Sequence, residues 1–399
     1  MKEKIILGLG NNIDYEIVWN SKVFEDMIAK YEIRHDELSK EIAVNNERDL
    51  VVSILGFLKE EVGGERYVSS PDIIEKFAKN FERRITMGGT SVRAATAMRK
   101  LGYTSALHLV TINDHVRRLL PQDCPYVCSA GEEGVYPHLI VQFCQGVKVT
   151  ASDIDIYTSS SNRIIYVNDK DNQEMKLNEN LSELITDAEV FLISGFNAMH
   201  RKTLLEERLQ ALLKIMAALP EKAAVFYEDA CFHDAGLSKQ VRDSLIGEID
   251  IYSLNEDELQ GYLKRKPDLL KPDQMISALE DVHKLIPVPV IVLHTRYWAL
   301  AYGMNAASFE EALKGGINMA GTRFRFGDDF TMENYHETAE NALRNEGVIF
   351  ADEINRLLGE KVCCLACIQA AESKATAIGL GDAFVGGFLP ALISSGVQI

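Results

Sequence analysis

The sequence predicts an α/β protein: a main domain built on a mostly parallel sheet with helices on both faces, plus a smaller α+β lobe formed by insertions. Through the second half, short apolar runs alternate with amphipathic helical segments, which is how a parallel sheet with helical crossovers reads. Through the first half that rhythm breaks, and insertions of different periodicity stand between the landmarks. The 399-residue length also exceeds the size at which one core stops growing, about 250 to 300 residues.

In chain order, KIILGLG (4–10) reads as a buried first strand. The stretch 15–85 is mostly helical in pattern. Within it DLVVSILGFLKEEV places Leu50, Val51, Ile54, Leu55 and Leu58 on one stripe, so it predicts a packed helix rather than a linker. HLIVQFCQGVKVTA (138–151) and NRIIYVND (162–169) alternate apolar and polar residues, as half-exposed antiparallel strands do. Segments 15–85 and 135–178 are therefore assigned to the smaller lobe, and 1–14, 86–134 and 179–399 to the main domain. There the strand runs are AEVFLISG (188–195), AAVFYED (223–229), EIDIYSLN (248–255) and VPVIVLHT (288–295). The helix after the first of them carries Leu205, Leu209, Leu212 and Met216 on one face.

A chain that is 47% hydrophobic, with 27 Gly and 10 Pro, is an ordinary folded protein and not a disordered one. Its net charge of −17 excludes a general binder of nucleic acid or of anionic membranes. An anionic ligand must then be held by a few local groups, and backbone amides at helix N-termini are the obvious device. No apolar run reaches the roughly 18 residues of a membrane helix, and MKEKIILGLGNNID lacks the pattern of a signal peptide, so a cytoplasmic location is expected. Seven cysteines, an odd number, fit reduced thiols. Cys363, Cys364 and Cys367 lack partners for a zinc set and read as helix-core residues.

The sharpest chemical signal is ATAIGLGDAFVGGFLPAL (375–392). Gly379 and Gly381 allow close backbone approach, Asp382 follows at once, and an apolar helix begins. One reading is an anion pocket with a carboxylate beside it, able to hold a transferring phosphoryl group and accept a proton from the attacking hydroxyl. The other is a helix merely capped by its own first turn. In SLNEDEL, Asn255 and Glu258 follow a strand at the carboxyl edge of the sheet, where open α/β proteins bind ligands. They suit either a water-rich Mg²⁺ site or a capping box. Glu228 ends its strand at the same edge. Asn12 and Asp14, with Gly88 and Gly89 opening a helix, could grip sugar hydroxyls or simply form turns. GLGNN lacks the third glycine and the helix of a dinucleotide fingerprint, so a Rossmann dehydrogenase is rejected.

Taken in order, these segments resemble the ADP-dependent glucokinase and phosphofructokinase family, a branch of the ribokinase-like kinases. GLGNNID resembles its first-strand motif, implying that Asn12 and Asp14 bind the sugar, and MGGTSVRAATAMRKLG resembles its glycine-pair segment, implying substrate contacts at Gly88 and Gly89. VYPHLIVQF and SSNRIIYVND resemble lid segments, which implies a sugar contact for His138 and a nucleotide-phosphate contact for Arg163. VFLISGFN, FYED, SLNEDEL and GLGD resemble its S-G, H-x-E, N-x-x-E and G-x-G-D motifs. The resemblance implies a ribokinase-like three-layer core with a small lid that closes over the sugar. It makes Asp382 the general base, with Gly379 and Gly381 stabilising the phosphoryl group. Glu228 and Glu258, with Asn255, would organise Mg²⁺ and its waters, and Asn255, His294 and Leu380 would join Arg163 at the nucleotide, ADP.

The chain departs from the family pattern at Phe226, where the H-x-E histidine would stand, at Asn197, and at Thr90 and Ser91. These bear on the sugar more than on the reaction type. Glucose would need a neutral pocket and fructose 6-phosphate a basic one. Arg93, Arg99 and Arg201 are candidates for the latter, though ordinary surface positions suit them better. An ATP-dependent kinase of the same fold and a sugar or nucleotide sensor without chemistry are the alternatives. Oligomeric state is left open.

Overall fold

The computed structural model describes residues 4–369 and 378–397, so Ala375 to Ala377 of the glycine-rich segment lie outside the described residues. Among these a nine-stranded sheet forms the main domain. From one edge it runs Val362–Ala366, Trp298–Gly303, Val290–His294, Ile251–Asn255, Ala224–Glu228, Val190–Ile193, Ile5–Leu7, Ala106–Leu109 and Tyr126–Cys128. Neighbours are parallel from Val290–His294 to the Tyr126–Cys128 edge, and Trp298–Gly303 pairs antiparallel on both its sides. The α/β class with a mostly parallel sheet is as the sequence predicts.

Strands covered on both faces read as continuous apolar runs, because successive side chains enter opposite cores. Val190 and Leu192 join one cluster with Leu313, Phe384 and Phe388. Phe191 and Ile193 join the other with Leu205, Leu209, Leu212 and Leu279. The first face is covered by the helices Thr90–Lys100, Glu310–Phe326 and Leu380–Ser395, the second by Lys202–Met216 and Pro272–Leu285.

A five-stranded sheet forms the smaller lobe, in the order Gly64–Tyr67, Asn162–Val167, His138–Phe143, Asn12–Ile17 and Arg83–Gly88. The helices Ser21–Lys30, Glu47–Glu60 and Pro71–Ala78 pack on it through Phe24, Ile28, Leu55, Ile74 and Phe77. Asn12 and Asp14 therefore do not end the first strand. The chain leaves that strand at Leu7 and starts a strand of the second sheet at Asn12, paired with Gly88. His138–Phe143 is also more buried than a half-exposed strand, with Leu139, Ile140, Val141 and Phe143 all in the core.

The cysteine segment is a correction. Val362–Ala366 is a strand at the sheet edge, paired antiparallel to Trp298–Gly303, and not a helix. Cys363 and Cys364 are buried towards opposite clusters, so the adjacent pair reflects the strand's period of two. All seven cysteines are free thiols. No helix among the described residues is long and apolar enough to cross a membrane.

The C-terminal helix Leu380–Ser395 reaches its place by close approach to Glu310–Phe326. A β-carbon at Gly387 would stand 2.1 Å from the Gly315 carbonyl oxygen, so the two backbones touch where side chains would hold them apart. Gly387→Ala is expected to destabilise the protein by about 1–3 kcal/mol through overpacking, read as a lowered denaturation midpoint. An unchanged midpoint would mean that the crossing can widen at no cost.

Candidate active site

The parallel sheet brings three polar strand ends together. Glu228, Asn255 and His294 are the last residues of three neighbouring strands, with Asn255 in register with His294. His294 Nε2 lies 3.2 Å from Glu228 Oε1, and its ring stacks on Phe384 of the C-terminal helix at 4.8 Å. Asn255 caps the next helix: its Oδ1 accepts from the amides of Asp257 at 2.7 Å and Glu258 at 3.2 Å, and Glu258 Oε2 accepts from the Asn255 amide at 2.6 Å. The capping-box reading is thus correct as geometry. The same box turns the buried Glu258 carboxylate towards the sheet edge.

Acidic groups crowd this edge. Burial first, then the charges of Asp229 and Glu228, push the Glu258 carboxyl up to about 8, against the Asn255 amide that favours ionisation. Asp229 is pushed up to about 6 by burial, although the hydroxyls of Tyr262 and Tyr252 donate to it. Glu228 Oε2 is buried with no hydrogen-bond partner among the described residues. A buried carboxylate oxygen without a donor is costly, and a cation beside it would remove that cost. Among the described residues no group of three or more His, Cys, Asp or Glu forms a ready cage for a metal. Mg²⁺ needs less, since it keeps waters and takes one or two carboxylates plus ligand phosphates. Glu228 and Glu258 fit it.

The glycine-rich turn faces these residues. Gly379 has φ of +64° and caps the C-terminal helix, so the chain turns into the helix where a β-carbon would meet Arg93 Nη1 at 2.7 Å. Leu380, Gly381 and Asp382 form the first turn, whose amides have no intrahelical acceptor. A β-carbon at Gly381 would stand 3.4 Å from His294 and 3.7 Å from Glu228, which places the turn directly over the acidic edge. Asp382 is half-buried.

On the smaller lobe's side, Asp14 is held at both oxygens. Asn12 Nδ2 donates to Oδ1 at 2.6 Å, and Arg93 Nη2 donates to Oδ2 at 2.7 Å. His138, beside Asp14 in the parallel ladder, lies 3.2 Å from Asp169 Oδ2 through Nε2 and 3.9 Å from Asp14 through Nδ1. Burial alone would lower the His138 pKa. The hydrogen bond and charge of Asp169, with Asp14 and Glu65 behind them, outweigh it and raise the pKa above the ordinary 6.5.

One cavity of about 680 Å³ is lined by all of these: Asn12, Asp14, Gly88, Gly89, His138, Arg163, Glu228, Asn255, Glu258, His294, Gly379, Leu380, Gly381 and Asp382. The arginine assignment is corrected. Arg99 is an exposed partner of Asp123 and Arg201 is exposed before its helix, but Arg93 is buried between Asp14 and Asp382. Asp169 and Asp229 were not legible as site residues, and Arg93 stood only among the candidate contacts for a sugar phosphate, with a surface position preferred. The available signal for Arg93 was an arginine in the first turn of a helix otherwise built from small residues. Arg323 was also missed. It donates to the Ile378 carbonyl at 2.9 Å, and burial followed by the like charge of Arg93 pushes it down to about 10.

Comparison with known proteins accords with this geometry. The conserved region of ADP-specific phosphofructokinases and glucokinases matches residues 3–387. A search of curated proteins finds no sequence match. Among solved structures, the chain is similar to a phosphofructokinase from Pyrococcus horikoshii OT3 with AMP, at 16% identity and TM-score 0.78 over 98% of both chains. A hypothetical ADP-dependent phosphofructokinase from the same organism gives 17% and 0.79, again over 98% of both. An ADP-dependent kinase in complex with fructose 6-phosphate and ADPβS gives 11% and 0.73, over 98% of this chain and 94% of that one. With nearly its whole length matched, the chain belongs to the ADP-specific phosphofructokinase/glucokinase family of sugar kinases.

Proposed function

We propose that the protein transfers a phosphoryl group from ADP to a hydroxyl of glucose or fructose 6-phosphate and releases AMP, with Asp382 accepting the hydroxyl proton. The observation that carries this reading is the placement of the free amides of the Gly379–Asp382 turn and the Asp382 carboxylate in one cavity with Asn12, Asp14 and His138. The sugar would lie against the smaller lobe, where Asp14 would accept from its hydroxyls and the His138 ring would meet it beside Asp14. The smaller lobe would then act as the lid that keeps water from the phosphoryl group.

The nucleotide would enter over the main sheet, with its base in the apolar slot between Ala299, Ile317, Ala320, Phe324 and Ile368, and with Arg163 reaching its phosphates. The first-turn amides, aimed where charge gathers in transfer, would supply the electrostatic stabilisation on which phosphoryl transfer mainly depends. Glu228 and Glu258, with Asn255 beside them, would hold Mg²⁺, which when bound neutralises charge on the phosphate oxygens. The family supports ADP as donor. Both acceptors stay within the proposal, and the assay separates them.

Purified protein is expected to turn over glucose or fructose 6-phosphate with ADP in the presence of Mg²⁺, and to stop when a chelator removes the metal. Turnover with ATP alone would sink the ADP reading. Asp382→Asn is expected to lower kcat by about 10²- to 10⁴-fold, as loss of a general base does, while calorimetric ADP affinity stays unchanged. Equal turnover by variant and wild type would remove Asp382 as the base.

His138 supplies a pH test. Its folded-state pKa is raised, so the Asp169 pair stabilises the protein fully below the ordinary 6.5 and ceases to do so as pH rises through the folded value. Asp14 and Glu65 act in the same direction. In Asp169→Asn burial is less opposed, and the His138 ring resonance followed by NMR should titrate at lower pH than in wild type. An unmoved titration would show that the Asp169 contact does not hold the proton.

A further inference from the structure

The smaller lobe and the C-terminal helix meet at a buried cation, Arg93, with a second buried arginine, Arg323, beside it. Arg93 sits in the first turn of Thr90–Lys100 and is 8% exposed. Its Nη2 reaches Asp14 Oδ2 at 2.7 Å, its Nε lies 3.7 Å from Asp382 Oδ2, and Glu16 Oε1 stands 3.9 Å from Nη2. Asp14 belongs to the second sheet and Asp382 to the helix over the first. A planar guanidinium can serve two carboxylates at fixed angles, which a lysine ammonium on a flexible stem cannot. Gly379 leaves the space the guanidinium needs, since a β-carbon there would fall 2.7 Å from Nη1 and 3.1 Å from Cδ. The other groups facing it are the like-charged Arg323 and the acidic Glu16.

We propose that Arg93 is a positioning residue that fixes the sugar-binding carboxylate of Asp14 relative to the base Asp382, so that a hydroxyl gripped by one is delivered to the other. The role rests on the reading of Asp14 and Asp382 given above. It predicts effects on acceptor binding and turnover together, because the guanidinium acts on both carboxylates. A merely structural role would reduce the active fraction and leave the acceptor KM unchanged.

The test uses Arg93→Lys in the full chain, with steady-state kinetics for acceptor and ADP. Misplacing reacting groups by about 1 Å can cost 10²-fold, so the expected result is an acceptor KM raised about tenfold and a kcat lowered about 10- to 100-fold, with the ADP KM within about twofold of wild type. Unchanged kcat and acceptor KM would overturn the role. An ADP KM that rises as much as the acceptor KM would overturn it too, by making Arg93 a nucleotide contact.

Asp14→Asn, Arg93→Gln and the double variant, which removes one charge of each sign and remains testable if Arg93→Lys fails to fold, complete a cycle. If Arg93 acts through Asp14, the double variant should lose about as much kcat/KM as the worse single one, whereas additive losses would overturn the coupling. Failure of the kinase reading is distinguishable. Wild-type protein that binds the sugar but turns over no acceptor would refute that reading, and the Asp14 half of the role is then decided by acceptor Kd, which Arg93→Lys must weaken about tenfold.

Discussion

A guanidinium buried between two carboxylates is the interaction on which the cleft depends. Removing Arg93 and Asp14 from water is expensive, and each is tolerated because the other is there, with the half-buried Asp382 adding its charge. The cost of desolvating Arg93 is outweighed by Asp14 first and then by Asp382 and Glu16, which together keep its proton bound more tightly than in water. The three side chains come from the second sheet, the Thr90–Lys100 helix and the C-terminal helix. Their pairing therefore joins the smaller lobe to the main domain inside the cavity.

The opposite wall of the cleft is built on the reverse principle. Glu228, Asp229 and Glu258 are brought together, and among the described residues His294 offsets part of the charge. Such crowding raises the free energy of the ligand-free protein and favours a bound cation. The first turn of the C-terminal helix faces the same space, and the amides of a helix's first turn carry partial positive charge. A local positive potential of this kind does not depend on the chain's net charge of −17.

Contacts between the two sheets differ in character along the cleft. At the far rim, Tyr67 and Glu65 of the edge strand Gly64–Tyr67 meet His200 and His233 of the main domain, with ring centroids 4.8 and 5.2 Å apart and Glu65 3.6 Å from His233. These groups are exposed, so solvent screens the ion pair and little energy holds the rim. The Arg93 contacts are buried and strong by comparison. The smaller lobe is therefore held firmly at Arg93 and loosely at the rim.

Much of the architecture was legible because it follows from periodicity, which is local. The runs VFLI and VIVL are apolar throughout because both faces of those strands are covered, and Leu205, Leu209, Leu212 and Met216 share a stripe because one face of their helix is. Where two periods agree over a short run, locality fails. Val362–Ala366 is too short to distinguish strand from helix, and its pairing with Trp298–Gly303 decided the matter. The site was legible where a strand end or helix start marked it, at Glu228, Asn255 and Gly379–Asp382. The pairing of Arg93 with Asp14, 79 residues away, was not legible, nor was that of Asp169 with His138, 31 residues away. The sequence by itself determined the fold class and the segments able to carry chemistry, since burial patterns and turn residues are written in near neighbours. Only the tertiary structure decided which charges face one another, because that depends on distance and solvent exclusion between segments that the sequence keeps apart.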